Sequence, residues 1–385
     1  MFTLQDALSA VKNKPEFSVK DKGTYTVIDY NVNSKTTFVG ETDAETKILL
    51  NLRGTAFDNE SNKIIRLGYD KFFNHGEFPE IDKKLDFSED HVITQKLDGS
   101  CIFPIYTRDE GILLGTRAGV TDVSKMADEW LSTECHNVAD YWDFICYCKQ
   151  AGVTPIFEFC SRKNRVVLDY PNANLILTAV RTIATGGYLS YAVLCYLAED
   201  FNIPVVSRIE PLATQDAFVG FHQSVTDQLD DEGVVIRFES GNLTGHMIKL
   251  KSADYVMKHK AVDGLRFEKD VLYMALDGLI DDVYPLLAVD TMVRVQSHVE
   301  AFMVKFFAVQ NVILNEHDLF KNLETQKDFA LAIKDNKYKS FLFSLRAGRI
   351  PLSQAVSDYC KKQCGTQTST KELKEFLDFQ NEYVI

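Results

Sequence analysis

Five short segments carry residue types that could do chemistry together. Lys96-Leu97-Asp98-Gly99-Ser100 follows the strand-like run Val92-Ile93-Thr94-Gln95, so Lys96 stands at a strand end beside a glycine turn. A phosphate can approach such a lysine closely, and its amine, once deprotonated, is a nucleophile. A Lys-x-Asp-Gly-Ser/Gly string arises by chance in about one in a hundred chains of this length. The Asp-Gly pairs at Asp263 and Asp277 carry Ala261 and Ala275 where the lysine would be. The plain alternative is a surface lysine beside a turn. In Ile156-Phe157-Glu158-Phe159 a carboxylate interrupts an apolar strand, which is costly to bury without a partner. A strand face open to water would remove that cost. Asp231-Glu232-Gly233-Val234-Val235 sends an acidic pair into a buried strand, or is an ordinary loop-to-strand junction. In Met247-Ile248-Lys249-Leu250-Lys251 the two-residue period puts Lys249 and Lys251 on one face and Ile248 and Leu250 on the other. Alone, this is an amphipathic surface strand. The fifth segment is Arg53-Gly54, followed by Lys71-Phe72-Phe73-Asn74.

These segments lie on a strand-rich first part of the chain, residues 1–260. Tyr25-Thr26-Val27-Ile28-Asp29-Tyr30 has strand composition. Ile102-Phe103-Pro104-Ile105-Tyr106 and Gly111-Ile112-Leu113-Leu114 flank a turn and predict a hairpin, with Pro104 marking an edge strand or a bulge. Helices are expected over 122–131 and 138–148, a buried strand over 175–180, and a hairpin joining 233–238 to 246–251. After residue 260 the apolar period becomes helical, as in Val299, Phe302, Met303, Phe306, Phe307 and Gln310. Thr325 with Asp328, and Ser369 with Glu372, resemble capping boxes, and Leu373, Phe376 and Leu377 give one apolar face. The expected fold class is α+β: an antiparallel-sheet domain over 1–260, then an all-α domain over 261–385.

The 385 residues exceed one ordinary core. No apolar run is long enough for a membrane, and the N-terminus lacks a signal-peptide layout, so the cytoplasm is the expected compartment. The eight cysteines lack metal-site spacing and are expected as reduced thiols. A net charge of −13 argues against a broad grip on nucleic acid but leaves room for a local basic groove. Two basic stretches exist: Lys249, Lys251, Lys258, Lys260 and Arg266, then Lys334, Lys337, Lys339, Arg346, Arg349, Lys361 and Lys362. Solvated faces are the plain reading of both.

Order distinguishes the set. Lys-x-Asp-Gly, a strand glutamate, Glu-Gly-Val and Lys-x-Lys, in that sequence, resemble the motif series of the covalent nucleotidyltransferases. Lys71-Phe72-Phe73-Asn74 after Arg53-Gly54, Phe157-Glu158-Phe159 before Asn164-Arg165-Val166-Val167-Leu168, and the helical tail are similar to the bacteriophage RNA ligase 1 family. The resemblance implies an ATP-dependent RNA ligase with a nucleotidyltransferase domain and a helical domain that selects RNA. It implies that Lys96 attacks the α-phosphate of ATP, Glu158 holds the ribose, and Glu232 positions Mg²⁺. Lys249 and Lys251 would contact the α-phosphate, and Arg53 and Lys71 the ATP phosphates. Gln95 would lie in the nucleotide site and Asp98 would orient it. Arg117 stands where the family has a lysine. Asp281 and Asp282 could hold an additional metal, although capping or linker roles are the plainer reading. The partner implied is RNA, in particular tRNA with a broken anticodon loop in a phage-infected bacterium, with no membrane and no obligate protein partner.

A free lysine titrates near 10.4, so a nucleophilic one needs help to lose its proton. Lys249, Lys251 and a metal would supply it and would also stabilise the transferring phosphate. Two rival readings remain. A DNA ligase or capping-type nucleotidyltransferase would carry a β-rich domain after Lys-x-Lys. A non-catalytic RNA-binding protein on the same scaffold would not need all of Lys96, Glu158, Glu232, Lys249 and Lys251.

Overall fold

Alternation along the strands sorts their side chains into two faces, and this sorting builds the first half of the protein. The computed structural model describes residues 1–31, 34, 36–348 and 350–384, with Ile81 by its backbone alone. Arg349, counted in the second basic stretch, lies outside the described residues. The chain divides into two compact units, Met1–Val256 and Met257–Ile385.

The described residues of the first unit form three sheets. One has four strands in the order Phe17–Asp21, Tyr25–Tyr30, Thr55–Asp58, Ile64–Arg66. A second has the order Asn174–Thr182, Val153–Cys160, Ser100–Tyr106, Ile112–Gly115. The third has five strands: Arg208–Ile209, His91–Gln95, Gly233–Phe238, Met247–Lys251 and Phe73–Asn74. Among the described residues these strands pair antiparallel with one another, except that Phe73 and Asn74 run parallel to Ile248 and Lys249. Pro104 is not on an edge strand. Its strand has neighbours on both sides, but pairing with Val153–Cys160 covers only Ser100, Cys101 and Ile102. Pro104 falls beyond that stretch, where its missing N–H costs no bond on that side.

Two of these sheets each turn one face to a core and the other to a shared cavity. Ile93, Val234, Ile236, Ile248 and Leu250 pack beneath the helix Gln215–Thr226 with Phe218 and Val225. Ile102, Phe157, Phe159, Leu175 and Leu177 pack with Leu131, Tyr141, Phe144 and Leu194 from the helices Asp122–Thr133, Val138–Ala151 and Tyr191–Asp200. A fully buried side chain of this kind contributes about 1.5–3 kcal/mol. The intervening residues, Thr94, Val235, Lys249 and Lys251 on one sheet and Cys101 and Glu158 on the other, all face the cavity.

In the second unit, helix Val289–Phe320 supplies Phe302, Phe306, Val309 and Ile313 to a core with Phe329, Leu342, Val356, Cys360, Leu373 and Leu377. Phe307, which the apolar period includes, is 53% exposed on the other side of that helix. Thr325 caps its helix by accepting from the Asp328 amide. The final helix, Gln367–Leu377, starts earlier than expected. Its capping box pairs Thr366 with Ser369, so Ser369 is the third helical residue rather than the cap. Several cations of the second basic stretch are tied internally: Lys337 to the Phe376 carbonyl, Arg346 to the Leu323 carbonyl, and Lys361 to Asp277. All eight cysteines are free. Among the described residues no helix is long and apolar enough to cross a membrane.

Candidate active site

The cavity between the two sheets has a volume of about 460 Å³, within the usual range for small-molecule pockets. Its walls bring together Arg53, Gln95, Lys96, Arg117, Glu158, Lys249 and Lys251. A larger, more open hollow of about 950 Å³ around Trp130 and Cys195 has no lysine or arginine in its lining.

Lys96 leaves the strand His91–Gln95 with its amide still bonded to the Gly233 carbonyl, 2.8 Å. Its ammonium donates to Glu232 Oε1 at 2.6 Å, and Lys251 reaches the same oxygen at 2.9 Å. Glu232 is almost completely buried, so its charge is met by these two lysines rather than by water. The loop after Lys96 is fixed by Asp98, also buried. Asp98 Oδ2 accepts from the amides of Val167 and Leu168 at 2.8 and 2.6 Å, and Oδ1 accepts from the Tyr255 hydroxyl at 2.7 Å. Asn164 Nδ2 donates to Ser100 Oγ and to the Phe159 carbonyl. The Asn164-to-Leu168 segment is thus a brace for the lysine loop. Gly99 must be glycine, because a Cβ there would lie 2.5 Å from the Phe159 carbonyl oxygen.

Lys249 and Glu158 have perturbed proton affinities. Lys249 is pushed down to about 7, mainly by burial and then by Lys71, Lys96, Arg53 and Lys251. Glu158 is pushed up to about 7 by burial, against the pull of Lys96 and Arg53 and a hydrogen bond from the Gly99 amide. Lys71 is not in the cavity wall. It is buried against the rings of Phe73, Tyr30 and Phe38, with its ammonium 4.9, 5.5 and 5.7 Å from their centroids, and is pushed down to about 8 by burial and Arg53. Arg117 lies 4.5 Å over the Tyr30 ring, with Nε 3.6 Å from Asp29. Arg53 lies 5.5 Å over Phe72. The assembly is a cationic pocket with two carboxylates, Asp29 and Glu158, in its wall. Such a pocket suits a polyphosphate whose ribose end meets an acceptor.

The metal question turns on Glu232. It is a single carboxylate, and among the described residues no group of three or more His, Cys, Asp or Glu side chains could hold an ion. That fits a hard cation that keeps its waters and completes its shell with substrate phosphates. Asp281 and Asp282 are exposed on a short turn of the second unit.

A family model described as RNA ligase matches residues 51–262. The match takes in all of Arg53, Lys71, Lys96, Arg117, Glu158, Glu232, Lys249 and Lys251 and covers more than half of the chain. The chain belongs to the bacteriophage RNA ligase 1-like family. A provisionally named RNA ligase of Thermovibrio ammonificans is 27% identical over 286 residues, which are 73% of this chain and 71% of that protein. Among solved structures, Naegleria gruberi RNA ligase with PPi is 16% identical with a TM-score of 0.40, over 60% of this chain and 65% of that one. A point mutant of the same ligase with ATP and Mn is 17% identical with a TM-score of 0.39, over 50% and 56%. The chain spans between about half and two thirds of the length of these solved ligases.

Three residues in or beside this candidate site escaped the sequence reading. Asp29 interrupts an apolar strand just as Glu158 does, and that signal was available. Tyr255 follows Lys251 closely, but only the fold brings its hydroxyl to Asp98. Arg66 gave no signal.

Proposed function

We propose that this RNA ligase is ATP-dependent and joins RNA 5′-phosphate and 3′-hydroxyl ends through a lysyl-AMP on Lys96 and an RNA-adenylate. The observation that carries this reading is the convergence of Lys96, Glu158, Lys249, Lys251, Arg53 and Arg117 on one cavity. Lys96 Nζ attacks the α-phosphorus of ATP, the bond to the β-phosphate oxygen breaks, and pyrophosphate leaves. Glu232 Oε1, 2.6 Å from Nζ, is within reach of the proton that Lys96 must lose. Lys249 and Lys251 meet the charge that develops on the α-phosphate. Arg53 and Arg117 hold the phosphates that depart. Glu158 accepts from the ribose hydroxyls. Mg²⁺, held by Glu232 and the substrate, would neutralise phosphate charge. AMP then passes to an RNA 5′-phosphate, and attack by a 3′-hydroxyl releases it. The helical composition of the second unit favours this reading over a DNA ligase or capping-type enzyme with a β-rich second domain. Family membership supports tRNA cut in its anticodon loop, in a phage-infected bacterium, as the natural substrate, and substrate choice as the task of the helical unit.

The test is incubation with labelled ATP and Mg²⁺, followed by a denaturing gel and peptide mass spectrometry. AMP should be found on Lys96. Lys96→Ala should carry no label yet still seal pre-adenylylated RNA, because that step needs no lysyl-AMP. Label on another lysine, or a preference for GTP, would refute the assignment.

A further inference from the structure

Arg66 ends the strand Ile64–Arg66 and is completely buried. A buried guanidinium requires partners, and here most are main-chain oxygens. Nε and Nη2 donate to the Gly54 carbonyl at 2.9 and 2.5 Å, and Nη1 donates to the Thr116 carbonyl at 3.0 Å. The guanidinium lies 4.5 Å over the Phe103 ring. The two carbonyls belong to the residues beside Arg53 and Arg117, which come from loops more than sixty positions apart in the chain. These loops touch. Gly54 has φ +74, and a Cβ on it would lie 2.5 Å from the Arg117 Cα. Gly115 makes room for the fork, since a Cβ there would lie 2.8 Å from Arg66 Nη1.

We propose that Arg66 is a positioning residue: a clamp that fixes Arg53 and Arg117 as one unit for the departing phosphates of ATP. This rests on the adenylylation reading above. Two guanidiniums on separate loops repel each other and favour separate, solvated positions when no phosphate is bound. A planar fork bonded to both loop backbones removes that freedom before ATP arrives, and a lysine at Arg66 could not make the same three contacts. Burial pushes Arg66 down only to about 10, so it remains charged at neutral pH. Because the β- and γ-phosphates take part only in lysyl-AMP formation, the clamp serves that step and not the sealing of RNA that already carries AMP.

The experiment compares both steps in the full chain for wild type, Arg66→Lys, Gly115→Ala and Arg66→Met. The second variant crowds the fork without removing its charge, and so keeps the test open if the first fails to fold. We expect KM for ATP in self-adenylylation to rise about tenfold or more, with sealing of pre-adenylylated RNA within about twofold of wild type. Arg66→Lys should retain more adenylylation than Arg66→Met. Equal losses in both steps, or an unchanged KM in the folded variants, would overturn the clamp. A wild-type protein that fails to label Lys96 would strike the adenylylation reading itself, whereas a labelling wild type with step-independent variants would strike only the clamp.

Discussion

Replacing Lys249 with methionine should stabilise the unliganded protein while abolishing its chemistry. Methionine matches the aliphatic stem and keeps contact with Phe72, over which the Lys249 ammonium lies at 5.6 Å. What it removes is a charge that burial and four neighbouring cations disfavour. A fall from 10.5 to about 7 corresponds to roughly 5 kcal/mol at 1.36 kcal/mol per pH unit. That is an upper bound, because the side chain keeps some contact with cavity water. A net gain of about 1–2 kcal/mol is expected, a rise of about 2–4 °C in melting temperature. The pH dependence carries the sign. Well above pH 10.5 lysine is neutral in both folded and unfolded chains, and wild type and variant should converge. As pH falls from 10 to 7, the unfolded chain takes up a proton that the folded pocket refuses, so the advantage of Lys249→Met should grow. Below about 7 both states bind the proton and the advantage should level off. Thermal melts across pH 6 to 10, beside self-adenylylation at pH 8, measure both effects. Adenylylation should fall by about a hundredfold or more. A variant less stable than wild type at pH 7, or a difference that does not change between pH 7 and 10, would refute the reasoning.

Three further outcomes are expected. ATP binding at pH 8 should draw in a proton as the phosphates recharge Lys249, whose value lies at about 7, and the uptake should fade by pH 6. Calorimetry in two buffers of different ionisation enthalpy reads this, and uptake that is constant over the range would contradict the assignment. Gly54→Ala should cost about 1–3 kcal/mol through its left-handed backbone alone and should also weaken ATP binding by pushing Arg117 away. Melting that matches wild type would show that the loops do not touch. A chain ending at Gly264, which keeps Tyr255 and its bond to Asp98, should self-adenylylate but lose preference for a cut anticodon stem-loop over linear RNA. Preference retained in full would remove the helical unit from substrate choice.

The strands that line the cavity were legible because a two-residue period leaves little freedom: once Ile248 and Leu250 are in a core, Lys249 and Lys251 must face away from it. Glu158 was legible as an anomaly, a carboxylate where apolar neighbours predict burial. Asp98 was harder. Its aspartate-glycine turn signals a loop, but its partners at Val167, Leu168 and Tyr255 lie far along the chain. Local rules also have a resolution limit. The pair Thr366 and Ser369 has the same spacing as Ser369 and Glu372, and only the helix start tells which is the cap. A solvated face was the plain reading of the basic stretch in the second unit. Its Lys337, Arg346 and Lys361 instead hold carbonyls and an aspartate of their own unit, partners that charge counting cannot see. Arg66 was illegible because a buried arginine on main-chain oxygens leaves no pattern among side chains.

Glu232 gives one oxygen to both Lys96 and Lys251. Substitutions at these two lysines are therefore not independent measurements. Removing Lys96 leaves a buried carboxylate with half its counter-charge, and some of that uncompensated negative charge will face incoming phosphates. The double variant should lose less than the sum of the single losses. A Lys96→Ala protein is the natural choice for trapping ATP unreacted, but the affinity measured on it is a floor for the native pocket.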